Sequence, residues 1–75
     1  MKTTELKEII DKHGWSTIYK VETKLGIYFA SILDEEHIDK ELSIEMLEDE
    51  MSLNIPIENL VSLATATQEE IESIT

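Results

Sequence analysis

Leu42-Ser43-Ile44-Glu45-Met46, followed across Glu48-Asp49-Glu50 by Met51-Ser52-Leu53-Asn54-Ile55-Pro56-Ile57, decides the fold of this 75-residue chain. Apolar residues return at every second position on both sides of a charged, turn-sized interval, which is the pattern of two strands joined in a hairpin. A helix through 38–51 would set Ile38, Leu42 and Met46 in one stripe. Ile44, Leu47 and Met51 would then lie on nearly the opposite side, at about 100° per residue. A surface helix in so small a chain cannot bury two opposed faces. As strands the same residues fall into register: Leu42, Ile44 and Met46 inward, Ser43 and Glu45 outward, then Met51, Leu53 and Ile55 inward again. Strands are therefore predicted at 41–47 and 51–56.

Upstream, Thr3 or Thr4 can cap a helix over 3–13, and Gly14 suits its C-terminal left-handed position. Leu6, Ile9 and Ile10 make its apolar stripe. From Trp15 the period becomes two, with Trp15, Thr17, Tyr19 and Val21 on one face and Ser16, Lys20 and Glu22 on the other. Ile18 is the exception. A strand is predicted at 15–22, then a tight turn at Lys24-Leu25-Gly26, then a strand at 27–33 that is apolar on both faces. Such a strand suits the bent centre of a barrel, covered by the sheet on one side and the helix on the other. Asp34-Glu35-Glu36-His37 reads as an exposed loop.

Downstream, Pro56 cannot donate to a ladder and marks an edge or a strand end. Ile57-Glu58-Asn59 reads as a short turn or one turn of 3₁₀ helix, and 60–64 as a last strand. Thr67-Gln68-Glu69-Glu70 matches a capping box ahead of a helix at 68–74, with Ile71 and Ile74 as its contacts. The alternative is a pair of helices within 57–74, broken at Thr65-Ala66-Thr67, as in a helix-turn-helix. The expected architecture is one α+β domain, mainly β, with an N-terminal helix, a five-stranded bent antiparallel sheet or small barrel, and a short C-terminal helix.

The chain carries 17 acids against six bases and a net charge of −11. The imbalance is uneven: residues 1–33 sum to +1 and residues 34–75 to −12. Such a field repels nucleic acid and anionic lipid and steers the protein towards basic surfaces. No Lys or Arg follows position 40, so even a helix-turn-helix would have nothing with which to neutralise phosphates. There is no cysteine, no apolar run of membrane-spanning length and no signal-peptide core. The expectation is a complete, cytoplasmic protein, and its Lys/Ile/Glu-rich composition suggests a low-GC bacterial or phage origin.

The order of elements, with Gly14-Trp15, Leu25-Gly26 and Ile55-Pro56-Ile57-Glu58-Asn59-Leu60-Val61 at its joints, resembles the Sm-like and SH3-like small barrels over about residues 3–65. RNA-binding Sm-like proteins hold RNA with basic and polar residues of the loops and last hairpin. The matching segment here, Met51 to Leu63, has no Lys, Arg or His, so no RNA site carries over. In charge and size the chain resembles the acidic Rof-like type. That resemblance implies a barrel that binds a protein which itself binds nucleic acid.

No catalytic constellation emerges. His13 and His37 lack a second His or Cys at ligand spacing, and His13 at a helix end suits the helix dipole. The acids at 34–39 and 48–50 lack the spacing and glycine of a calcium loop, so neither a metal nor another cofactor is expected. Trp15, Tyr19, Tyr28 and Phe29 read as structural rather than as a stacking platform. The functional expectation is a non-enzymatic regulator or inhibitor that engages a basic protein surface. Its contact residues would be Asp34, Glu35, Glu36, Asp39, Glu41, Glu48, Asp49, Glu50 and Glu58, making charge-assisted hydrogen bonds to Lys or Arg. The alternatives are a homo-oligomerising small-barrel module and a helix-turn-helix-like interaction domain. The protein itself is expected to be a monomer or small homo-oligomer.

Overall fold

Residues 41–56 adopt the hairpin that their period of two demands. The structure is a computed structural model that describes residues 1–34 and 36–74. In chain order it contains α1 (Thr3–His13), β1 (Tyr19–Thr23), β2 (Gly26–Asp34), β3 (Glu41–Met46), β4 (Ser52–Pro56), a 3₁₀ turn (Ile57–Asn59), β5 (Leu60–Thr65) and α2 (Gln68–Ile74). The five strands form one antiparallel sheet in the order β4-β3-β2-β1-β5. It is a bent sheet with two free edges, β4 and β5, rather than a closed barrel.

The bend has two identifiable sources. Register shifts between Ile32 and Asp34 and between Glu22 and Thr23 leave Leu33 and Val61 as unpaired extra residues. Bulges of this kind sharpen the local twist, and both residues turn outward, 46% and 51% exposed. The 3₁₀ turn then ties distant parts together: the Ile57 N–H donates to the Lys40 carbonyl and the Lys24 N–H to the Asn59 carbonyl, each at 2.9 Å. The start of β3 is thereby fastened to the β1–β2 turn.

Alternation decides what is buried. Tyr19 and Val21 of β1, and Leu42 and Ile44 of β3, are fully buried together with Leu6 and Ile10 of α1. Ile9 packs against them from the rim of the helix stripe. Tyr19 is buried without an unmade bond, since its hydroxyl donates to the Gly14 carbonyl at 2.8 Å. That burial pushes its phenol above its ordinary pKa. Gly14 (φ +84°) ends α1 and Gly26 (φ +150°) leaves the β1–β2 turn, both in backbone space that glycine tolerates best.

Several expectations need correction. The first strand begins at Tyr19, not at 15: residues 15–17 bend, and Trp15 is 45% exposed. The Thr17 hydroxyl donates back to the His13 carbonyl at the end of α1, so this stretch finishes the helix instead of joining a ladder. Lys2, not Thr3 or Thr4, occupies the N-cap position, with no side-chain bond. Met51 lies between the strands and is 64% exposed rather than inward. The helix-turn-helix alternative fails because residues 60–65 are strand β5. The outer face of β2 is only partly covered, as Ile27 is half exposed. Among the described residues no helix is long and apolar enough to cross a membrane.

Candidate functional site

The acidic residues take their positions from β3. Its outward row is Glu41, Ser43 and Glu45, because Leu42 and Ile44 of the same strand fill the core. Asp34, Glu36 and Asp39 precede that row in the β2–β3 connection, all exposed. The connection is held from beneath by Ile38, which is 2% exposed, and the N–H groups of Lys40 and Glu41 both donate to the His37 carbonyl at 2.8 Å. Asp34 accepts the Glu36 N–H at 2.7 Å. Glu58 joins this end, since the 3₁₀ turn is bonded to Lys40.

Glu48, Asp49 and Glu50 lie at the other end of β3, in the turn to β4, and are exposed. The turn is closed by the Met46 N–H to the Met51 carbonyl at 2.8 Å and the Glu50 N–H to the Met46 carbonyl at 3.0 Å. Asp49 accepts the Met51 N–H at 3.1 Å. Glu50 has φ +59°, a conformation that costs an L-residue about 1–2 kcal/mol.

The nine expected contact residues therefore do not converge on one patch. Asp34, Glu36, Asp39, Glu41 and Glu58 gather at the start of β3, and Glu48, Asp49 and Glu50 at its end. At about 3.3 Å per residue, a strand of this length keeps the two groups roughly 17 Å apart. Glu35 lies outside the described residues. The link between the groups is Glu45, exposed on the outward row and absent from the expected set. Its alternation with Leu42 and Ile44 was the available signal for its orientation.

Concavities on the described surface include the following. One of about 260 Å³ lies between Ile74 of α2 and Ile27 and Phe29 of β2. A smaller one of about 80 Å³ lies where Leu25, 83% exposed, and Tyr28 approach Leu53 and Pro56. A third, of about 360 Å³, is lined by Ile18, Ser31, Glu45, Met46, Leu47 and Glu50. It brings two carboxylates, Glu45 and Glu50, beside the apolar side chains of Ile18, Met46 and Leu47, with Ser31 between. Among the described residues no three His, Cys, Asp or Glu side chains gather to hold a metal ion. His13 instead meets the Tyr19 ring edge-on, with centroids 6.5 Å apart.

The cations are few and partly engaged. Lys20 on β1 pairs with Glu70 of α2 at 3.2 Å. Thr67 and Glu70 close the capping box: the Thr67 N–H donates to the Glu70 carboxylate at 3.0 Å and the Glu70 N–H to the Thr67 hydroxyl at 3.1 Å. These bonds, the Thr67 one foremost and Lys20 next, hold the Glu70 carboxyl below its ordinary pKa. Compared with known proteins, the chain matches no family model, no curated protein and no solved structure, so its surface is read from its own chemistry.

Proposed function

We propose that this chain is a non-enzymatic, acidic protein-binding domain of the bacterial or phage cytoplasm that acts as a regulator or inhibitor. Its target would be the basic surface of a protein that itself binds nucleic acid. One observation carries this reading. The outward row of β3 carries Glu41 and Glu45, the connection before it carries Asp34, Glu36 and Asp39, and the turn after it Glu48, Asp49 and Glu50, with Lys40 the one Lys or Arg between residues 34 and 75. The strand presents Glu41 and Glu45 at fixed spacing, which lowers the ordering cost of binding. Charge of one sign also speeds encounter with a cationic groove and repels nucleic acid from the same face. The resemblance to acidic Rof-like small barrels supports the same reading.

The test is affinity capture from a bacterial lysate at low and at physiological salt, using the whole chain as bait. Basic nucleic-acid-binding proteins retained at low salt and released as salt rises are the expected result. Retention that is indifferent to salt, or recovery of no basic protein, would remove the reading.

A second reading, a self-assembling module, draws on the two unpaired edges β4 and β5. Pro56 at the end of β4 and the negative charge of residues 34–75 both oppose edge pairing. Light scattering over a range of concentrations separates the two readings, because a stable oligomer at physiological salt would favour assembly.

A further inference from the structure

Ile18 breaks the alternation of the first strand, and the sheet shows what it does instead. Tyr19 pairs with Ala30 and Ser31 pairs with Glu45. Ile18, one residue ahead of β1, therefore continues a single outward row across three neighbouring segments: Ile18, Ser31, Glu45. The small Ser31 leaves this row hollow at its middle. Leu47 and Glu50 raise the turn side into a lip, and the result is the trough of about 360 Å³. Leu47 is fixed there by its N–H bond to the Phe29 carbonyl at 2.9 Å, and Ile18 by the Ala66 N–H bond to its own carbonyl at 2.9 Å.

The trough is amphipathic in a way that selects its occupant. Ile18, Met46 and Leu47 are half-buried apolar groups, while Glu45 and Glu50 are exposed carboxylates from two different elements. Among the described residues neither carboxylate has a side-chain hydrogen bond or ion-pair partner, and Lys20, on the neighbouring strand, is engaged by Glu70. The complementary group is cationic at its tip, apolar along its stem, and flat enough to reach two carboxylates at once. A guanidinium meets all three requirements, since it is planar, weakly hydrated and presents a fork of donors; an ammonium is a compact, strongly hydrated point charge.

We infer that this trough is the seat of an arginine side chain presented by a basic protein partner. The inference rests on the reading of the chain as an acidic protein-binding domain and names the point of contact. The arginine stem lies against Ile18 and Leu47, and its guanidinium sits between Glu45 and Glu50. The acids at the start of β3 then contribute attraction at longer range rather than the specific contact.

The experiment is a titration of the whole chain with a soluble peptide of alternating arginine and serine, followed by amide NMR shifts and calorimetry. Three proteins are compared: the natural chain, Glu45→Gln with Glu50→Gln, and Asp39→Asn with Glu58→Gln, which removes equal charge at the far end of β3. The expected result is shifts centred on Ile18, Ser31, Glu45 and Leu47, with about tenfold weaker binding for the first variant and under about twofold for the second. Equal weakening of both variants, or shifts spread evenly over all the acids, would overturn the trough and leave the acidic-surface reading standing. Equal affinity for a lysine-serine peptide would overturn the choice of arginine. No binding by the natural chain at low salt would remove the acidic-surface reading and the trough with it.

Discussion

At the scale of single residues, Glu50 concentrates the conflict between stability and the proposed contact. It holds φ +59° in a turn where glycine or asparagine would sit without strain. Locally costly residues of this kind gather where a surface has a task. Glu50→Gly is therefore expected to raise stability by roughly 0.5–1 kcal/mol, the relief of the left-handed backbone offset in part by the freer unfolded chain. The same change is expected to weaken binding of the arginine-serine peptide. Loss of one negative charge alone could also stabilise so acidic a chain, so Glu48→Gln in the same turn serves as the control. Urea midpoints for the two variants decide the point. A gain no larger for Glu50→Gly than for Glu48→Gln would show that the backbone is not strained there. Tyr19 is the opposite case, a polar group placed in the core without conflict because Gly14 supplies its acceptor.

At the scale of elements, α2 is the most weakly held piece. It contributes no fully buried residue, and its polar tie to the sheet runs through Glu70, which serves the capping box and Lys20 together. Because these contacts depress the Glu70 pKa, their stabilisation is present above the ordinary value of 4.5 and is lost as pH falls through the lower folded-state value. On acidification, carboxyl NMR should show Glu70 titrating below 4.5, with the α2 amides changing together with it. Glu70→Gln should abolish that coupled change. A midpoint at or above the ordinary value would mean that the helix is not held this way. The elements differ in how well the sequence announces them. The β3–β4 hairpin was legible because its alternation is uninterrupted and no single helix could bury both of its stripes. Both helices were legible from their stripes and from Thr67-Glu70. The start of β1 was not, because Trp15 and Thr17 share the parity of Tyr19, and parity carries no information about where ladder partners end. The site was legible as a count of acids but not as a shape. Residues close in sequence at 34–41 and 45–50 are separated by the length of β3, while Ile18, Ser31 and Glu45, far apart in sequence, become neighbours only through cross-strand register.

At the scale of the whole molecule, the charge distribution sets a cost that the fold carries throughout. The molecule measures 31 × 25 × 18 Å, and at about 10 mM salt the screening length is about 30 Å. Every carboxylate then feels nearly every other, and residues 34–75, at −12, repel themselves across the β3 face. At about 0.15 M salt the length falls to about 8 Å, and only immediate neighbours interact. Unfolding spreads the charges apart, so repulsion favours the open chain and screening favours the compact one. The thermal midpoint followed by circular dichroism should therefore rise with sodium chloride between about 10 mM and 0.5 M. Affinity for a basic partner should fall over the same range, because the same ions screen attraction as well as repulsion. The two trends have one cause and opposite signs, which separates them from a general salting effect. A midpoint that falls with salt would mean that attractive pairs dominate the surface. That outcome would contradict the distribution on which the proposed binding depends, since Lys20–Glu70 is the single ion pair among the described residues. A partner that covers the β3 row with cations would remove the same repulsion, so binding and folding are expected to reinforce each other in this domain.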